Sequence, residues 1–129
     1  MCISLKKYDT LLIRESIKVF KVVHIENGKF YSQMLPSSRH PQHEGRPVLG
    51  TRRRYPIGKV ITDNRGIGFY VYQWLSGARL VVSSTQEQTA KYYCILACEI
   101  PADSPVIEGY NKYGDVLLTR TLRIIGVII

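Results

Sequence analysis

The stretch from Gly66 to Ile100, GIGFYVYQWLSGARLVVSSTQEQTAKYYCILACEI, decides the fold class. Gly66 and Gly68 remove side chains on either side of Ile67, and Phe69, Tyr70, Val71 and Tyr72 follow as a run of strong strand formers. Trp74, Leu75, Ala78, Val81 and Val82 then recur at spacings that put them on one side of a helix, while Gln73, Arg79 and Ser83 point elsewhere. Gly77 and the paired valines weaken that pattern, so a strand through Leu80, Val81 and Val82 is the competing assignment. From Tyr92 to Ile100 both alternating sets are largely apolar, Tyr93, Ile95, Ala97 and Glu99 on one side and Tyr92, Cys94, Leu96, Cys98 and Ile100 on the other. That is the pattern of a strand buried inside a sheet. Pro101 ends it, because proline cannot donate to a ladder.

Working outward, Ile17 to Ile25 alternates Ile17, Val19, Val23 and Ile25 against Lys18, Phe20, Val22 and His24 and reads as a strand. Asn27-Gly28 supplies the two positive-φ positions of a tight hairpin, with Lys29 to Met34 as the returning partner. Ahead of it, Leu11, Leu12 and Ile13 fit a short helix or strand capping the core. Pro36 to Pro56 holds four prolines, two glycines and no sustained apolar period, which is loop chemistry. Ile57 to Thr62 is a short strand and Asp63 to Gly66 a turn. Beyond Pro101, Tyr110 to Gly114 is a hairpin loop, and Asp115 to Ile129 reads as one long closing strand with Leu118, Leu122 and Ile124 on a face shared with Arg120. Together these elements predict a single α+β domain over residues 1–129, with a twisted antiparallel or mixed sheet of about five to seven strands, one or two short helices, and a basic loop at about 36–56.

The chain has 129 residues, 45% of them hydrophobic and 22% charged, which suits one domain with a real core. No run approaches the ~18 apolar residues that cross a bilayer, and MCISLKKYDT lacks the basic-then-apolar order of a secretory signal, so a cytoplasmic protein without membrane contact is expected. Cys2, Cys94 and Cys98 are odd in number and include no CxxC, which argues against a disulfide scaffold. The net charge is +8, and +5 of it lies between Pro36 and Gly66, where Arg39, Arg46, Arg52, Arg53, Arg54, Lys59 and Arg65 face only Glu44 and Asp63. Such a field concentrates polyanions and makes their binding steeply salt dependent.

Arg52, Arg53 and Arg54 beside Tyr55 form the sharpest binding candidate: guanidinium forks grip phosphates, and a neighbouring aromatic can stack a base. Arg39, Arg46, Lys59 and Arg65 extend the patch. The bland alternative is a solvated basic loop. His40 and His43 have no further ligands nearby in sequence, so no metal site is expected, and no motif asks for a cofactor. On a strand Cys94 and Cys98 lie about 13 Å apart and read as buried structural thiols. Edge strands and the apolar C-terminal GVII leave a homodimer open.

VFKVV at 19–23, Tyr55-x-Ile57-Gly58-Lys59, GFYVY at 68–72 with Ala78 following, ILACEIP at 95–101 and LRIIGVI at 122–128 resemble a group of uncharacterised small domains encoded by phages and bacterial mobile elements. The likeness spans roughly Lys18 to Ile128, and Tyr70 stands where those domains commonly carry histidine. The resemblance implies a gene of that provenance acting in the host cytoplasm on nucleic acid, a nucleotide signal or the acidic groove of a host defence protein, as anti-CRISPR and other anti-defence proteins do. A virion or scaffold component is the structural alternative. The chain is also similar to ADP-ribosyltransferases, and that likeness implies a nucleotide pocket drawing on His24, Tyr70 or Tyr72, and Glu99 or Glu108, although His24 is not followed by glycine.

Overall fold

A two-residue turn fixes the first pairing. Asn27 and Gly28 take φ of 51° and 73°, the positive values a tight hairpin needs, and they join β3 (Ile17–Glu26) to β4 (Lys29–Ser32). The computed structural model describes residues 4–5, 10–32, 54–63, 68–88 and 92–128. The segment expected as a loop, with Arg39, His40, His43, Arg46, Arg52 and Arg53, lies outside these up to residue 53, as does Arg65.

The other strands are β1 (Ser4–Leu5), β2 (Leu11–Leu12), β5 (Val60–Thr62), β6 (Phe69–Tyr72), β7 (Tyr93–Ile100), β8 (Pro105–Asn111), β9 (Gly114–Thr119) and β10 (Thr121–Ile128), with one helix, α1 (Leu75–Gln88), among the described residues. All pair antiparallel in one ten-stranded sheet of order β1-β8-β9-β6-β3-β7-β10-β5, with β2 also on β8 and β4 on β3. The α+β class stands. The sheet is larger than the expected five to seven strands, and one 14-residue helix takes the place of one or two short ones.

Two differences from the sequence reading have local causes. The closing segment is two strands rather than one, and they lie apart: β9 joins β8 to β6, while β10 joins β7 to β5. The chain turns at Arg120, where the Thr119 hydroxyl donates to the Thr121 carbonyl (3.0 Å) and accepts from the Thr121 amide (3.4 Å). Leu118 therefore does not share a strand with Leu122 and Ile124. Trp74 also leaves the buried side assigned to it: it precedes the first helical turn and is 61% exposed, whereas Ala78 and Val81 are fully buried.

Both faces of the central strands carry a core, as the largely apolar character of β7 requires. On one face α1 covers Val22, Tyr72, Ile95 and Val116 with Ala78 and Val81. On the other, a single cluster gathers Val106 of β8, Leu117 of β9, Phe69 and Val71 of β6, Val19 and Val23 of β3, Leu96, Cys98 and Ile100 of β7, and Leu122 and Ile124 of β10. For one cluster to draw on strands so far apart, the sheet must curl around it. Residues 54–59 cross this concave side: the Tyr55 amide donates to the Phe30 carbonyl (2.8 Å) on β4, and the Gly58 amide to the Ile124 carbonyl (2.8 Å) on β10.

One charge lies inside. β6 meets β3 only at Phe20 opposite Tyr72, and further along the same edge β4 takes over from Val23 to Glu26. In the fork sits Lys21, 4% exposed, its ammonium donating to the Tyr70 carbonyl (2.9 Å) and lying 3.8 Å from the centre of the Tyr70 ring. Burial lowers its pKa from 10.5 to about 8, with nearby Cys98 opposing the shift.

Candidate functional site: a cationic and aromatic row

In an antiparallel ladder residues directly opposite share a face and stand about 5 Å apart. The hairpin sets His24 opposite Tyr31, and the β3–β7 pairing sets His24 opposite Tyr93. A bridge from residue 54 back to β4 sets Arg54 opposite Tyr31. Arg54, Tyr31, His24 and Tyr93 thus form one row across four adjacent chain segments. The imidazole and the Tyr93 ring lie 5.7 Å apart, tilted by 45°. Arg54 is exposed, and the three rings are partly so.

At its Tyr93 end the row opens into a cleft of about 490 Å³ between α1 and the ends of β7 and β10, lined by Arg79, Ser83, Val82, Tyr93, Ile95 and Ile128 among others. Arg79 is exposed on the helix. A second guanidinium therefore flanks the row at the end away from Arg54.

The arginine run expected to carry binding enters the described sheet at Arg54, which stands on the row. Tyr55 does not stack a ligand there. It is 2% exposed in the concave core, edge-on to Phe69 with ring centres 5.9 Å apart. Side chains alternate along an extended segment, so the geometry that puts Arg54 on the outer face sends Tyr55 inward. Lys59 is exposed near β10.

The candidates for a nucleotide pocket do not converge. Tyr72 is buried, its hydroxyl accepting from the Asn111 amide nitrogen (2.9 Å). Tyr70 lies 6.2 Å from the Tyr72 ring, and burial, then the neighbouring phenol, holds its own phenol well above the usual range. Glu99 is opposite Lys18 on β3 and Arg123 on β10, and pairs with Arg123 at 3.5 Å. His24 is six residues along β3 from Lys18, so His24 and Glu99 are about 20 Å apart. Glu108 is opposite Leu117, which is opposite Val71, and so belongs to the face away from Tyr70 and Tyr72.

Cys94 and Cys98 both lie on β7, and burial pushes their thiols up from 9.0 to about 11 and about 12. Such thiols are poor nucleophiles at neutral pH. Among the described residues no three His, Cys, Asp or Glu side chains gather to hold a metal, and no helix is long and apolar enough to cross a membrane.

Tyr31 is a ligand-contact candidate that sequence reasoning alone does not bring forward, whereas Tyr93 reads from the sequence as a residue that can be core or can line a pocket. Half the signal is there: a two-residue turn at 27–28 forces His24 opposite Tyr31. The other half, the β3–β7 pairing, joins residues about 70 positions apart. No protein-family model, curated protein or solved structure matches the chain.

Proposed function

We propose, from charge and geometry alone and independently of provenance, that this small basic protein binds single-stranded nucleic acid along the row, with no catalytic step. The observation that carries the reading is the register that lines up Arg54, Tyr31, His24 and Tyr93. A row of rings between two guanidinium groups matches a strand in which flat bases alternate with phosphates. Bases stack on aromatic faces for about 1–3 kcal/mol each and without regard to sequence, while arginines hold the backbone. The net charge of +8 supplies the long-range attraction.

Fluorescence anisotropy with a short labelled oligonucleotide, single-stranded DNA, RNA or duplex, at two salt concentrations tests it. Single strands should bind more tightly than duplex. Arg54→Ala should flatten the log–log salt slope by about 0.7, the loss of one phosphate contact. Tyr31→Ala should weaken binding about fivefold or more while leaving the slope alone. Absence of binding at low salt, or equal binding by both variants and the native chain, rejects the proposal.

A further inference from the structure

The row ends at Tyr93, where β7 begins, and beside that end lies a cleft rather than flat sheet. Ile95 is two residues along β7 and so shares the face of Tyr93. Ile128 stands opposite Ile95 on β10, and Val82 of α1 packs into the same cluster. Together they floor the cleft of about 490 Å³ between α1 and the sheet, a size that suits one small ligand unit.

Its lip is polar. Arg79 and Ser83 lie four residues apart on α1, which puts them one turn apart on the same side of the helix, and both are exposed. Among the eight residues described as lining the cleft, Arg79 carries the one charge and none is a carboxylate. An aromatic wall, an apolar floor and a cation beside a hydroxyl at the mouth suit a flat body joined to an anion. The net charge of +8 favours the same sign of ligand.

We infer that this cleft takes the end of a single strand rather than its middle. The last base sits against Tyr93 and the apolar floor, and its terminal phosphate sits on Arg79 and Ser83; the inference rests on single strands binding along the row. An internal nucleotide carries a phosphodiester on each side. A strand running on through the cleft would press a second phosphate against Ile95, Val127 and Ile128, where the lining offers no second cation, and an unpaired anion on an apolar surface is costly. A terminal unit needs only the one anion site at the lip. Its phosphate is a monoester with about 1.5–2 negative charges near neutral pH, against one on a diester, so a guanidinium fork and a hydroxyl hold it more firmly. Phosphates at the 5′ and 3′ ends share this chemistry, and the probes below separate the two.

The test is competition. A single-stranded oligonucleotide labelled at an internal base is displaced by unlabelled strands of one sequence that carry a phosphate at the 5′ end, at the 3′ end, or at neither. One phosphorylated strand should compete about fivefold or more better than the strand without a phosphate, and the end that gains gives the polarity. Arg79 and Ser83 are exposed helix positions, so their alanine variants should keep the fold. Arg79→Ala should bring the three competitors level, and Ser83→Ala should narrow the gap. Arg54→Ala, at the far end of the row, should weaken all three alike and preserve the gap. A gap that survives Arg79→Ala is general attraction to added charge and overturns the inference. Equal competition by all three strands overturns it too and leaves binding along the row standing, whereas no binding of any single strand overturns both.

Discussion

Lys21→Met removes the one lysine buried in the described core, and the pH dependence of its effect can be worked out in advance. Burial lowers the Lys21 pKa from 10.5 to about 8, so keeping the ammonium charged inside the sheet costs about 3 kcal/mol at neutral pH. Between pH 8 and 10.5 the unfolded chain still binds the proton that the folded chain has lost, so the Lys21 contribution to stability rises with pH through that window. Integrated from pH 7 to pH 9, the gain is on the order of 1 kcal/mol. The thiols work the other way: Cys94 and Cys98 keep their protons in the folded state above pH 9, and stability falls as the unfolded thiols ionise. That fall is common to both proteins and cancels in their difference. At pH 7 the variant escapes the desolvation cost but leaves the Tyr70 carbonyl without its 2.9 Å donor, a loss of about 1–3 kcal/mol, so it should be near neutral or stabilised. At pH 9 it should compare on the order of 1 kcal/mol less favourably with the native chain than at pH 7. Urea denaturation of both proteins under reducing conditions at the two pH values measures this. A difference that does not change with pH would refute the reasoning.

Other expectations concern the fold's fastenings. Gly68 has φ of +98°, and a Cβ there would collide with the Thr119 carbonyl; Gly68→Ala should cost about 2 kcal/mol or more, read as a lower thermal midpoint. Asn111→Ala removes both the donor to the Tyr72 hydroxyl and the acceptor for the Tyr113 amide, so a loss of about 1–3 kcal/mol in urea is expected. Arg123→Ala breaks a pair whose arginine is 53% exposed, and stability should change by less than about 1 kcal/mol, less still in high salt.

What the sequence makes legible is local. The positive-φ pair at 27–28, the apolar β7, the aromatic β6 and the hairpin at 110–114 each follow from neighbouring residues, and the structure has each of them. The helix is legible where Leu75, Ala78 and Val81 recur. Its last turns, through Thr85-Gln86-Glu87-Gln88, carry no apolar residue to extend the pattern. The break at Arg120 has no glycine or proline to mark it, because Thr119 makes the corner with its own hydroxyl. In the site, charge draws attention to Arg54. Tyr55 reads as exposed because arginines and a proline surround it, yet it fills the concave core. The row itself depends on pairings between residues far apart in the chain, which no local pattern encodes.

The most direct measurement is the amide spectrum of isotopically labelled protein titrated with a short single-stranded oligonucleotide. The row predicts that the largest shifts fall at Tyr31, His24, Arg54, Tyr93 and Arg79, and that Arg54→Ala reduces them together. Shifts concentrated instead around Lys18, Arg120 and Arg123, or none at any ratio of nucleotide to protein, would contradict it.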